Sequence, residues 1–220
     1  MAKIDLARRA EIGRDRRAKT RAQLMQAARA LYSERPLESV TIDDLVNEAG
    51  VAKGTFYVHF EHLPDLQVAV ADELAQELDD LLQPLRLALA DPIERVAAGC
   101  SAFIREALRD PAWGSLVARG AWALPSVASA ARANLREDLR LAAARGRLAA
   151  ITPDLGFDLV TGIVLQAMRA AGERRLSPSD APAAVEAILR ALGIAQAEAR
   201  AIVERVLDLP SSTTAAWTPR

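Results

Sequence analysis

The chain has 220 residues, a formal net charge of −1, 51% hydrophobic and only 4% aromatic residues. Its apolar content is dominated by Ala and Leu, which favours an all-α fold with room for a small domain plus a medium one. A lone cysteine, Cys100, excludes an intrachain disulfide and fits a reducing cytoplasm. The basic N-terminal stretch lacks the apolar core of a secretory leader, and no uncharged apolar run reaches the roughly 18 residues of a membrane span. A cytoplasmic protein with no membrane association is expected. Charge is unevenly spread: residues 1–60 carry 11 Lys/Arg against 8 Asp/Glu, the remainder 17 against 21. A polyanionic partner would meet the N-terminal end.

Residues 1–15 mix charges with Ala and Gly and read as a flexible basic arm. A first helix is expected from about Arg16, with Leu24, Ala27, Ala28 and Leu31 on one face, ending at Pro36. Thr41 is placed to cap a second helix, with Asp44 three residues on as the capping-box acid, and Gly50 ends it in a left-handed turn. A short third helix follows at about Lys53–Phe60. Pro64 suits the first turn of a fourth, carrying Leu66, Val70, Leu74, Leu78 and Leu81. Asp91, Pro92 and Glu94 read as cap, first-turn proline and capping-box acid of a fifth, ending near Asp110. Further helices are expected from Pro111, from Pro125 to about Gly146, from Pro153 to near Gly172, and over about 182–192 and 197–209. A polar tail closes the chain at 211–220. No strand-like alternation occurs, so the fold class is all-α, with domains at 16–63 and 64–210.

Residues 41–60 carry the functional signal. Two short helices joined by a glycine turn can cross steeply and leave the second projecting from the surface. Lys53, Gly54 and Thr55 open that second helix. Tyr57 and His59 offer polar tips further along, while Phe56 and Phe60, four apart, anchor its other face. Such a helix can enter the major groove, its first residues at base edges and its flanks on phosphates.

The segment Gly50-Val51-Ala52-Lys53-Gly54-Thr55-Phe56-Tyr57-Val58-His59-Phe60 resembles the recognition-helix signature of the TetR family of bacterial repressors. Thr41 to Ala49 is similar to that family's second helix and Arg17 to Tyr32 to its first. The resemblance covers residues 16–68 and implies a DNA-binding head of three helices and a helical body that senses a ligand and dimerises. It implies that Thr41 caps and touches the DNA backbone, that Lys53 and Thr55 reach bases or phosphates, and that Gly54 allows close approach. Tyr57 and His59 would contact phosphates and Val58 a thymine methyl. Three positions depart from the family pattern. Ala52 stands for a Ser-type cap, Pro36 for a Gly, and Leu63 for a phosphate-binding Lys; Arg16, Arg17, Lys19 and Arg21 could supply backbone contacts in its place.

For the body, the resemblance implies a small, mostly apolar effector near Phe103, Trp113 and Trp122, although aromatics at helical spacing more often serve as plain core. The apolar face of Phe157, Val160, Ile163, Val164 and Met168, with Ile188 and Leu192, is expected to form the homodimer seam. Cys100 reads as buried and inert rather than a redox sensor. No metal cluster, cofactor motif or nucleophile–base set stands out, so an enzyme is not expected. The reading is a repressor that binds a double-stranded operator and is released by its effector. The alternative is a helical interaction protein that kept the head and lost operator binding.

Overall fold

The computed structural model describes residues 2–123, 130–148 and 151–207. The expected helix start at Pro125, Leu209 and the tail 211–220 lie outside these. The chain divides into two compact units, Met1–Val70 and Ala71–Arg220. Among the described residues there is no strand.

The head begins with α1 (Ala2–Glu34), followed by a 3-10 turn (Leu37–Ser39), α2 (Ile42–Ala49) and α3 (Lys53–His59); α4 (Leu63–Ala88) starts in the head and continues into the second unit. The arm expected at 1–15 is a correction: from Ala2 onward it belongs to α1. Its Ala, Arg, Lys and Glu are strong helix formers, and with no proline before Pro36 nothing interrupts them. The unit boundary at Val70 rather than 63/64 follows from α4, whose Leu66 and Val70 are both fully buried.

The cap of α2 forms as expected. Thr41 Oγ1 accepts from the Asp44 amide at 3.2 Å, and Asp44 Oδ2 accepts from the Thr41 amide at 2.9 Å. The Thr41 hydroxyl also donates to Asp44 Oδ2 at 2.7 Å, and this bond, the one from the Thr41 amide and Arg35 nearby hold the Asp44 carboxyl below its ordinary value. Gly50 adopts φ 65°, a left-handed geometry that costs a glycine little. It turns the chain so that α3 leaves at an angle to α2. Leu24 and Ala28 of α1, Leu45 of α2, and Phe56 of α3 are fully buried and make the small core.

The body comprises the rest of α4, α5 (Pro92–Arg109), α6 (Pro111–Ala123), α7 (Ala130–Ala144), α8 (Pro153–Gly172), a 3-10 turn (Pro178–Asp180), α9 (Ala181–Ala191) and α10 (Gln196–Leu207). Asp91 caps α5 by accepting from the Ile93 amide at 2.9 Å. Glu94 does not close a capping box and instead pairs with Arg205 of α10 at 2.7 Å. Thr152 caps α8 through the Leu155 amide. α5 is the central helix, packing against α6, α7, α8, α9 and α10. Close approach in this layer depends on Gly114: a Cβ there would stand 2.6 Å from the Ala107 Cβ.

The expected dimer seam is also corrected. Phe157, Val160, Met168, Ile188 and Leu192 are buried inside their own unit, and Ile163 and Val164 are partly buried against the same core. α8 is packed by α5, α6, α7 and α9 of the same chain, which cover its apolar face. Arg136 of α7 also covers Phe157, its guanidinium 3.8 Å from the ring centre.

Candidate nucleic-acid interface and ligand cavity

In α3 the two faces separate cleanly. Phe56 and Phe60 point into the head core, their rings 5.8 Å apart. Tyr57 and Val58 remain 54% and 63% exposed, and Lys53 and Gly54 are exposed beside them. Thr55 and His59 are half-buried at the edges. A Cβ at Gly54 would meet nothing within 4 Å, so packing within the head does not demand a glycine there. Ala52 gives α3 no side-chain cap. Val51 and Lys53 flank it, and Lys53 Nζ reaches back to Asp43 of α2 at 2.8 Å. That carboxylate raises the Lys53 pKa, keeping it a cation.

The four basic residues nominated on α1 do not act alike. Arg21 lies over the Phe60 ring at 5.1 Å and donates to Met25 Sδ at 2.9 Å, so it is braced against α3. His59 is pushed below its ordinary value by burial and by the charges of Arg17 and Arg21. Arg17, Arg21 and His59 therefore form one group at the end of α3. Arg16 and Lys19 are exposed. Thr41 is exposed, with its hydroxyl engaged in the cap. Leu63 is half-buried at the start of α4.

The body holds a cavity of about 140 Å³, open on one side, lined by α4, α5, α6, α7 and α8. Its walls are mainly apolar, from Ala75, Val96, Phe103, Val160, Val164 and Met168 among others. Phe103 is one of the side chains that line it. Trp113 is instead buried behind Phe103, ring centres 6.0 Å apart, and the Trp122 side chain lies outside the described residues. Cys100 lines the cavity with its thiol pushed up to about 12 by burial, which leaves almost no thiolate at neutral pH.

The polar part of the wall was not anticipated. Asp138 of α7 accepts from Arg86 Nη2 of α4 at 2.6 Å and from Arg95 Nη1 of α5 at 3.4 Å. Asp79 of α4 accepts from Asn134 at 2.7 Å and from Gln83 at 3.2 Å, and burial raises its pKa despite Arg86 nearby. Arg86 Nη1 makes no hydrogen bond, with Asp79 Oδ1 3.9 Å away. Thr161 Oγ1 on α8 is also buried without a hydrogen-bond partner. Among the described residues no three His, Cys, Asp or Glu side chains are placed to hold a metal, and no helix is long and apolar enough to cross a membrane.

A projecting helix on a helix-turn-helix head, joined to a helical body with an internal cavity, defines a class of DNA-binding regulators. Two family models match: residues 24–62 fit the bacterial regulatory proteins of the tetR family, and residues 91–205 fit the tetracyclin repressor-like C-terminal domain. The chain belongs to the tetR family. It is 40% identical over 52 residues to the uncharacterized HTH-type transcriptional regulator YvdT of Bacillus subtilis (strain 168), 24% of this chain and 27% of that one. It is 35% identical over 75 residues to the probable HTH-type transcriptional regulator ArpR of Pseudomonas putida, 30% of this chain and 36% of that one. The chain thus matches about a quarter to a third of the length of these curated relatives. Among solved structures it is similar to RolR in complex with the ligand resorcinol, with a TM-score of 0.68 and 28% identity over 87% of this chain and 96% of that one.

Proposed function

We propose that this tetR-family regulator is a homodimeric repressor that reads a double-stranded operator with α3 and is released by a small molecule in the body cavity. The observation that carries the reading is the division of α3: Phe56 and Phe60 hold it to the head, while Lys53, Gly54, Tyr57 and Val58 face outward. On DNA, Lys53 exchanges Asp43 for a phosphate or base edge, Gly54 admits the backbone closely, and Val58 meets a thymine methyl. Tyr57, Thr55, Thr41 and the group of His59, Arg17 and Arg21 hold phosphates; Arg16 and Lys19 add to the same field. Ligand control is supported by the cavity and by RolR, which holds resorcinol as its ligand.

The homodimer seam is assigned to the outward stripe of α8, where Leu155 is 48% exposed and Leu159, Gly162 and Gln166 continue the line, beside the small Ala183 and Ala187 of α9. Two copies would present two heads to two half-sites. A mobility shift with duplex from the protein's own upstream region tests the whole. Specific binding should exceed that of a scrambled duplex by about a thousandfold or more at physiological salt. Equal binding to both, or none, would favour a helical interaction protein without an operator.

A further inference from the structure

The cavity constrains its ligand by size, by charge and by the polar atoms left over. About 140 Å³ is close to the roughly 150 Å³ of an engineered apolar cavity that holds a benzene ring, so one six-membered ring fits within it. The ionisable side chains in the wall are three carboxylates, Asp72, Asp79 and Asp138, and three guanidiniums, Arg86, Arg95 and Arg132. They balance, and Asp138 is already shared between Arg86 and Arg95. A charged ligand would lose its hydration without gaining an uncompensated counter-charge.

Two places in the wall mark where the ligand's own polar groups belong. Arg86 Nη1 is a donor only, and Asp79 Oδ1, 3.9 Å from it, is an acceptor beyond direct hydrogen-bond reach. A hydroxyl can accept from the first and donate to the second; a carboxylate can only accept and an ammonium can only donate. Thr161 Oγ1, on α8, marks the second place and calls for a second hydrogen-bonding group. We propose that the cavity is the site for a neutral single-ring molecule with at least two hydroxyl groups, a dihydroxybenzene being the fitting class, and that Arg86, Asp79 and Thr161 select it.

This deepens the ligand-responsive reading above and rests on it, but binding can be measured on the full-length protein without DNA. Isothermal titration calorimetry at pH 7 with resorcinol, phenol, toluene and benzoate separates the three constraints. Resorcinol should bind most tightly, phenol roughly tenfold more weakly for one lost hydrogen bond, and toluene and benzoate weaker still. Thr161→Val, which keeps the shape and removes only the hydroxyl, should weaken resorcinol roughly tenfold and bring it to the level of phenol. Binding of none of the four overturns the proposal. So does benzoate or toluene matching resorcinol, or Thr161→Val binding resorcinol as tightly as wild type. Resorcinol binding that leaves operator affinity unchanged would keep this ligand assignment and remove the repressor reading instead.

Discussion

The head and the body treat polar side chains in opposite ways. In the head, the residues that would meet a partner sit on a convex surface: Lys53 and Asp43 pair at 2.8 Å while both remain more than half exposed. In the body, Arg86 and Asp138 pair at 2.6 Å and are almost wholly buried. The first pair can open at little cost, because water replaces each partner. The second cannot, because either charge left alone would be stranded in a poorly hydrated wall. A surface that must exchange its contacts for a phosphate backbone is well served by weak, exposed pairs. A cavity that must discriminate among small molecules is well served by a fixed polar frame.

The sharpest way to break this contrast is to remove one carboxylate from each unit. Asp138→Ala leaves Arg86 and Arg95 without their shared partner and should cost roughly 3–5 kcal/mol in denaturant unfolding. Asp43→Ala should leave the unfolding midpoint where it is. Equal effects would mean that burial of the Asp138 pair does not set its contribution to stability.

Next in size is the dimer. Leu159→Asp puts a carboxylate on the outward stripe of α8 and should raise the dimer dissociation constant at least about a hundredfold in sedimentation. Val164→Asp, which faces the cavity, should damage ligand binding and spare the dimer. The reverse outcome would return the seam to the inward face of α8.

DNA contacts come third. Lys53→Ala should weaken binding and flatten the dependence of log affinity on log salt by about one charge per subunit, and Leu63→Lys should steepen it by about as much on all sequences alike. Salt slopes identical to wild type in both variants would remove these positions from the interface.

The smallest effect is on pH dependence. His59 lies below its ordinary value in the folded head, so the unfolded chain takes up its proton first. This group's contribution to stability is present above about pH 6.5 and is lost as pH falls through the folded pKa. Asp79 behaves in the opposite sense: its folded pKa is raised by burial, so acidification from neutral pH relieves a penalty until both states are protonated. The two tyrosines, Tyr32 and Tyr57, lie in the head and all three tryptophans lie beyond residue 70. Tyrosine and tryptophan signals should therefore separate on mild acidification, the head weakening first. His59→Gln should abolish the head's share of that change.

The difference between the units also explains what the sequence made legible. The head is local: a cap at Thr41 with Asp44, a left-handed glycine at 50 and two phenylalanines four apart all lie within 20 residues. Each can be read from its neighbours. The body's helix starts were legible for the same reason, at Asp91 and Thr152. Its site was not, because Asp138 finds Arg86 across 52 residues and Asn134 finds Asp79 across 55. One signal was available. Leu135, Asp138, Leu139 and Ala142 share one face of α7, so a carboxylate falls in an otherwise apolar stripe. On α8 periodicity identified the apolar face correctly, but periodicity does not say whether that face meets its own chain or a second copy. Residues 1–15 hold no proline and a single glycine, so their helix propensity was legible, but a dense mix of charges is equally the composition of a solvated arm.

The most direct test of the account is the anisotropy of a labelled upstream duplex, titrated with wild type and with Tyr57→Ala at fixed salt. Tyr57 is more than half exposed, so removing its ring should leave the thermal midpoint unchanged. The account predicts a specific wild-type complex and at least roughly tenfold weaker binding by the variant, equivalent to about 1.4 kcal/mol per operator. A variant that folds and binds the duplex as tightly as wild type would contradict the assignment of α3 as the DNA-reading helix.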